Sequence, residues 1–129
     1  MNIYTVEMKN QPGEFAHVCE VLGRGNVNIE PAGVTSGDHG TVCFTASDES
    51  AAAAALEGAG IDFTEHSALQ VSCADRPGEA AKFARKLANA NVNVEWLLPM
   101  SICQGEILFA LSVDNLEGAR TALGDQIKG

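Results

Sequence analysis

Tyr4, Val6 and Met8 alternate with polar neighbours, a two-residue period that predicts a strand with one buried face. Phe15, Val18, Cys19 and Leu22 then fall at i, i+3, i+4 and i+7, the stripe of an amphipathic helix. Later in the chain, Ala80, Phe83, Ala84 and Leu87 occupy the same helical frame. After each helix a strand is predicted from Val27 or Val92, then a turn ("SGDHG" or "ICQG") and a further strand, with Val42, Phe44 and Ala46 answered by Ile107, Phe109 and Leu111. A second helix follows each hairpin: Asp48 and Asp114 are the predicted caps, and Ala52, Ala55 and Leu56 or Leu116, Ala119 and Leu123 form the apolar face. A strand near Ile61 to His66 closes the first half.

The recurrence is literal. At an offset of 65, Pro12 to Glu30 aligns with Pro77 to Glu95 without a gap, and nine of the nineteen positions are identical. That is a duplication. Each copy reads β-α-β-β-α-β, the split βαβ or ferredoxin-like unit, so the fold class is α+β: two tandem units with antiparallel sheets and helices on one face. The boundary falls between residues 67 and 68, giving domains 1–67 and 68–129. After Leu123 only "GDQIKG" remains, so the second copy lacks a full fourth strand, and its sheet edge needs a stub or some other protection.

Composition narrows the function. The 129 residues are 46% hydrophobic, enough to bury a core, and the one biased stretch, Ala51 to Ala55, suits a helix. A net charge of -9 with no basic cluster argues against nucleic acid and anionic lipid as partners. The N-terminus shows no secretory pattern and no apolar run is long enough to span a bilayer, which places the chain in the cytoplasm. Cys19, Cys43, Cys73 and Cys103 are scattered singly, as expected of reduced structural thiols.

The entrance to the first helix of each copy, "NQPGEF" and "DRPGEA", is where chemistry is expected. Proline suits the first helical position, which would put Gln11 and Arg76 at the N-cap, and neither caps well. The amides of Gly13 and Glu14, and of Gly78 and Glu79, would then be open to a carboxylate at the positive helix end. Glycine lets a ligand approach the backbone. Glu14, Glu79 and Asp75 can receive an ammonium group, so a zwitterion fits better than a phosphate. Pro-Gly before a helix is also ordinary turn chemistry, but here it is repeated together with "NVNI" at Asn26 to Ile29 and "NVNV" at Asn91 to Val94. Asn26 and Asn91 can end the helices. Asn28 and Asn93, unfavourable within a strand, suggest a polar contact.

An "N/D-x-P-G" entrance, an amphipathic helix and "N-V-N-I/V" opening the next strand resemble the ACT domain family of amino-acid-binding regulatory modules, and the resemblance covers essentially the whole chain as two tandem domains. It implies ligand binding without catalysis, with a free amino acid held at an interface between the first loop of one domain and the second strand of its neighbour. Carried over by position, the ligand-binding residues would be Asn10, Gln11, Gly13, Glu14, Asn28 and Ile29 in one copy, and Asp75, Arg76, Gly78, Glu79, Asn93 and Val94 in the other. Some serine-binding members carry a histidine two residues before the loop asparagine, where this chain has Met8 and Cys73, so serine specificity does not carry over. Asp75 in place of Asn10 implies that the two sites differ. With nothing left over to form an enzyme, the expectation is a non-enzymatic sensor with no cofactor. The alternative is a regulatory subunit acting by contact on a metabolic enzyme.

Other readings are weaker. His17, His39 and His66 lie in no catalytic motif. Metal sensing through His39 with Cys43, or His17 with Cys19, fails locally for the second pair, because Cys19 is on the apolar stripe and His17 points away. RNA-binding modules of the same element order need exposed aromatics and a basic surface. In the second copy Leu97, Leu108 and Ala110 are predicted on the strand face opposite the helices, which suggests sheet-against-sheet packing in a homodimer. Trp96 is expected in the core or as a pocket wall or interface anchor.

Overall fold

The computed structural model describes residues 1–129, which divide into two compact units, Asn2–His66 and Ser67–Gly129 with Met1. In the first, β1 (Asn2–Lys9), α1 (Glu14–Arg24), β2 (Ile29–Ser36), β3 (His39–Ala46), α2 (Glu49–Gly58) and β4 (Thr64–Ser67) follow one another, and the sheet order is β2-β3-β1-β4. In the second, β5 (Leu69–Ala74), α3 (Glu79–Asn89), β6 (Val94–Cys103), β7 (Glu106–Val113) and α4 (Leu116–Leu123) give the order β5-β7-β6. Both are the ferredoxin-like arrangement. The missing strand is a stub: Ile127 bridges to Val71, the Lys128 N–H donates to the Gln70 carbonyl and the Gln70 N–H to the Gly129 carbonyl.

Each unit has its own core between sheet and helices. Tyr4, Val6, Val42 and Phe44 meet Val18, Leu22, Ala52 and Leu56 in the first, with Tyr4 and Phe44 stacked at 5.5 Å. Leu69, Val71 and Leu111 meet Phe83, Leu87, Ala119 and Leu123 in the second. The helical stripes differ from expectation at the N-terminal turns. Phe15 is 47% exposed and Val21 is buried in α1, while in α3 Ala80 and Ala84 are exposed and Phe83 and Leu87 alone are buried. β1 buries Ile3 and Thr5 as well as Tyr4 and Val6, so its burial does not alternate.

Helices α1 and α3 end alike. Asn26 and Asn91 adopt left-handed φ of 60° and 57°, and the amides of Val27 and Val92 reach back to the carbonyls of Leu22 and Leu87. This is the Schellman closure, with asparagine in place of the usual glycine. It displaces the following strands, which begin at Ile29 and Val94 rather than at Val27 and Val92. β4 likewise starts at Thr64, with Ile61 and Phe63 only packed against the core.

Strand β6 carries two bulges, where Glu95 and Met100 have no partner on β7. Two consequences correct the sequence reading. The offset between copies grows from 65 to 67, so Val42, Phe44 and Ala46 correspond to Phe109, Leu111 and Val113. The bulge at Glu95 also inverts the alternation: Leu97 pairs with Leu111 on the helix-packed face, and Leu98, not Leu97, joins Ala110 on the opposite one.

Candidate functional site

The entrance loops are built the same way in both units. Pro12 is the second residue and Gly13 the third of a tight turn closed by the Glu14 N–H donating to the Gln11 carbonyl at 3.3 Å. Gly13, at φ 90° and ψ -16°, holds the left-handed conformation a type II turn requires at that position. Gly78 repeats it at φ 86° and ψ -12°, with the Glu79 N–H on the Arg76 carbonyl at 3.2 Å. The helices therefore begin at Glu14 and Glu79. Gly13 and Gly78 are the N-caps, not Gln11 and Arg76, because the prolines serve the turn and not the first helical position. The amides of Glu14 and Glu79 are consumed by the turn. With a glycine cap, no side chain closes the amides of the first helical turn.

Asn10 has a structural duty. Its N–H donates to the Asp38 carbonyl at 2.8 Å and its side-chain amide to the Gly37 carbonyl at 3.0 Å, which ties the entrance loop to the β2–β3 turn. Asp75 keeps the backbone half of this device, donating to the Gly105 carbonyl at 2.8 Å.

The acidic residues behave differently in the two copies. Glu79 accepts from Arg76 at 3.1 Å and from Lys82 at 3.3 Å, and the Lys82 hydrogen bond is the main cause holding its carboxyl below the usual range. Glu14 has Gln11 and His17 at the corresponding positions. The second entrance carries a carboxylate already matched by two cations; in the first, Glu14 is half-buried.

The asparagines after the helices are placed by reciprocal bonds. The Asn28 N–H donates to Ser47 Oγ at 3.0 Å and the Ser47 N–H to the Asn28 carbonyl at 2.9 Å. The Asn93 N–H donates to Asp114 Oδ1 at 2.9 Å and the Asp114 N–H to the Asn93 carbonyl at 3.1 Å. Asp114 is thus committed to β6, and the cap of α4 is Asn115, whose Oδ1 accepts from the Gly118 N–H at 2.9 Å. Asp48 caps α2 as expected. Asn28 and Asn93 are exposed, Ile29 is half-buried and Val94 is 38% exposed. Trp96, half-buried, pairs with Ser112 just past the bulge.

Beside the first entrance lies a feature absent from the sequence reading: an open apolar groove of about 520 Å³ walled by Phe15, Met8, Pro31 and Val42 and floored at Gly33 and Gly40. Its only trace in the sequence is the pair of glycines inside strands, where a missing side chain leaves room.

Elsewhere, burial pushes the thiols of Cys19, Cys43 and Cys73 up, in keeping with unreactive structural cysteines. His66 Nε2 meets Thr5 Oγ1 at 3.1 Å. No group of three or more His, Cys, Asp and Glu side chains is arranged to hold a metal ion. No helix is long and apolar enough to cross a membrane.

No protein-family model and no curated protein matches the chain. Solved structures do. A protein from Bacteroides thetaiotaomicron superposes with a TM-score of 0.86 at 20% identity, over 98% of this chain and 89% of that one. The regulatory subunit of aspartate kinase from Thermus thermophilus, in its ligand-free form, gives 0.69 at 19% identity over 98% and 91%. The corresponding subunit from Thermus flavus gives 0.64 at 18% identity over 95% and 88%. At these identities the likeness is one of fold: the chain carries two ACT-type βαββαβ units, as the regulatory domains of aspartate kinase do.

Proposed function

We propose that this chain is a non-enzymatic regulatory protein that binds a free amino acid at its β1–α1 and β5–α3 entrances, with the strand of a neighbouring ACT-type domain completing the site. The observation that carries this is the pair of glycine-capped helix starts, whose left-handed caps agree within a few degrees and leave first-turn amides without a side-chain partner. In this reading those amides take the carboxylate and Glu14 takes the ammonium group. Asn10, Gln11, Gly13 and Glu14 are the loop half of the first site, and Asn28 and Ile29 the strand half that this copy offers to a neighbouring domain. Asp75, Arg76, Gly78 and Glu79 are the loop half of a second and weaker site, since Glu79 is already paired, and Asn93 and Val94 the strand half of that copy.

A thermal-shift panel of the common amino acids tests the proposal. A ligand at a hundred times its dissociation constant stabilises the folded chain by about 2.7 kcal/mol, and Gly13→Ala should reduce the shift. If no amino acid moves either the melting point or Trp96 fluorescence, the proposal fails.

The neighbours named as aspartate kinase subunits favour a second reading, a regulatory subunit that acts by contact on a metabolic enzyme. Its signature would be co-purification with one enzyme from native extract, unaffected by Gly13→Ala.

A further inference from the structure

The two copies differ most where the entrance loop meets the sheet. The loop joins Met8 to Phe15, and both residues wall the groove. The turn that presents Gly13 therefore lies in the chain between two walls of an apolar trough.

Cross-strand register shows how the second copy fills the corresponding position. Gly40 pairs with Met8 and Thr35; its counterpart in the second copy, Ile107, pairs with Cys73 and Ile102. Gly33 pairs with Val42; the counterpart pair is Pro99 with Phe109. Ile107, Pro99 and Phe109 thus put side chains where the first copy has two glycines and a valine, and Phe109 stacks on Phe83 at 6.3 Å. The second copy also replaces Phe15 with Ala80, removing the wall.

A Cβ at Gly40 would meet nothing closer than Met8 Cγ at 3.5 Å, so the glycine is not demanded by a clash at that position. The volume, about 520 Å³, falls within the roughly 300–1,000 Å³ of small-molecule sites, and the lining is mostly apolar, with Thr35 and Thr41 as its polar side chains.

We infer that the groove is the side-chain subsite of the first copy, and that the ligand is an amino acid with a large apolar side chain, aliphatic or aromatic, bound tightly by that copy alone. The inference rests on the amino-acid reading above and adds its specificity and its stoichiometry of one. A charged side chain would lose its hydration against Met8, Phe15 and Val42 with no charged group in the lining to pair with it. A ligand with no side chain would leave the trough open.

Isothermal titration of the full chain with leucine, phenylalanine, alanine, serine, aspartate and lysine tests it. Leucine or phenylalanine should bind at least about ten-fold tighter than alanine, as burial of the added apolar groups requires, with one molecule per chain. Gly40→Ile, which installs the residue of the second copy, should weaken leucine binding at least about ten-fold with the melting point of the free chain held. Phe15→Ala at the exposed wall should weaken it in the same direction. Preference for serine, aspartate or lysine would overturn the inference and leave amino-acid binding standing, whereas no binding by any of the six would overturn both. If Gly40→Ile instead turns a dimer into a monomer in sedimentation, the groove is an interface between copies and the inference falls.

Discussion

Leu98 lies directly across from Ala110 on the β6–β7 ladder, and the two are 1% and 0% exposed. Leu97, its neighbour in the chain, stays 43% exposed on the other face of an edge strand. Leu98→Ala should therefore cost about 3 kcal/mol and Leu97→Ala under about 1 kcal/mol. Urea denaturation of the two variants reads the difference, and equal losses would mean that the alternation is not inverted at Glu95.

Asp114 and Asn115 are adjacent and both suited to capping, yet they do separate work. Asn115→Ala should lose about 1 kcal/mol through the open amide of Gly118. Asp114→Ala should lose a comparable amount through the Asn93 N–H, while Asp114→Asn, which keeps an acceptor oxygen, should hold the melting point. A melting point unmoved by Asp114→Ala would remove that residue from the β6 closure.

Glu79 should show itself in pH dependence. Its carboxyl is held below the ordinary 4.5, chiefly by Lys82 and then by Arg76. A carboxyl whose folded pKa is depressed stabilises the fold above the unfolded pKa and loses that contribution as pH falls through the folded value. Glu79→Gln should thus be slightly less stable than the parent at neutral pH, with the gap closing below about pH 4.5 and shrinking in high salt. A gap that persists at pH 2 would assign the loss to packing.

Thr45 is 3% exposed and its hydroxyl finds no hydrogen-bond partner. Thr45→Val keeps the shape and removes the buried polar atom, so it should stabilise by about 1 kcal/mol. A loss of stability in thermal unfolding would reveal a partner for the hydroxyl.

The duplicated β-α-β-β-α-β order was readable because each copy writes the same periodicities, so ambiguity in one is resolved by the other. The unread parts have physical causes. Pro12 has the same fixed φ in a turn as in a first helical turn, so the sequence does not separate Gly13 from Gln11 as the cap; the hydrogen bond from Glu14 to the Gln11 carbonyl does. Asp114 and Asn115 have the same capping chemistry, and only the position of Asn93 assigns them. The first-copy groove depends on Gly33 and Gly40 facing Phe15 across elements, a relationship no local period encodes.

The two unpaired residues of β6 act like a frameshift and its suppressor. One extra residue at Glu95 throws the inside-outside reading frame of the strand out of phase, and a second at Met100 restores it, so that Ile102 again shares a face with Val94. Deleting Glu95 alone should leave Leu98 buried opposite Ala110, because the residue removed has no partner on β7. Deleting Glu95 and Met100 together should return a strand in phase with β2, which means that a duplicated copy can gain or lose single unpaired residues while its sheet keeps two faces.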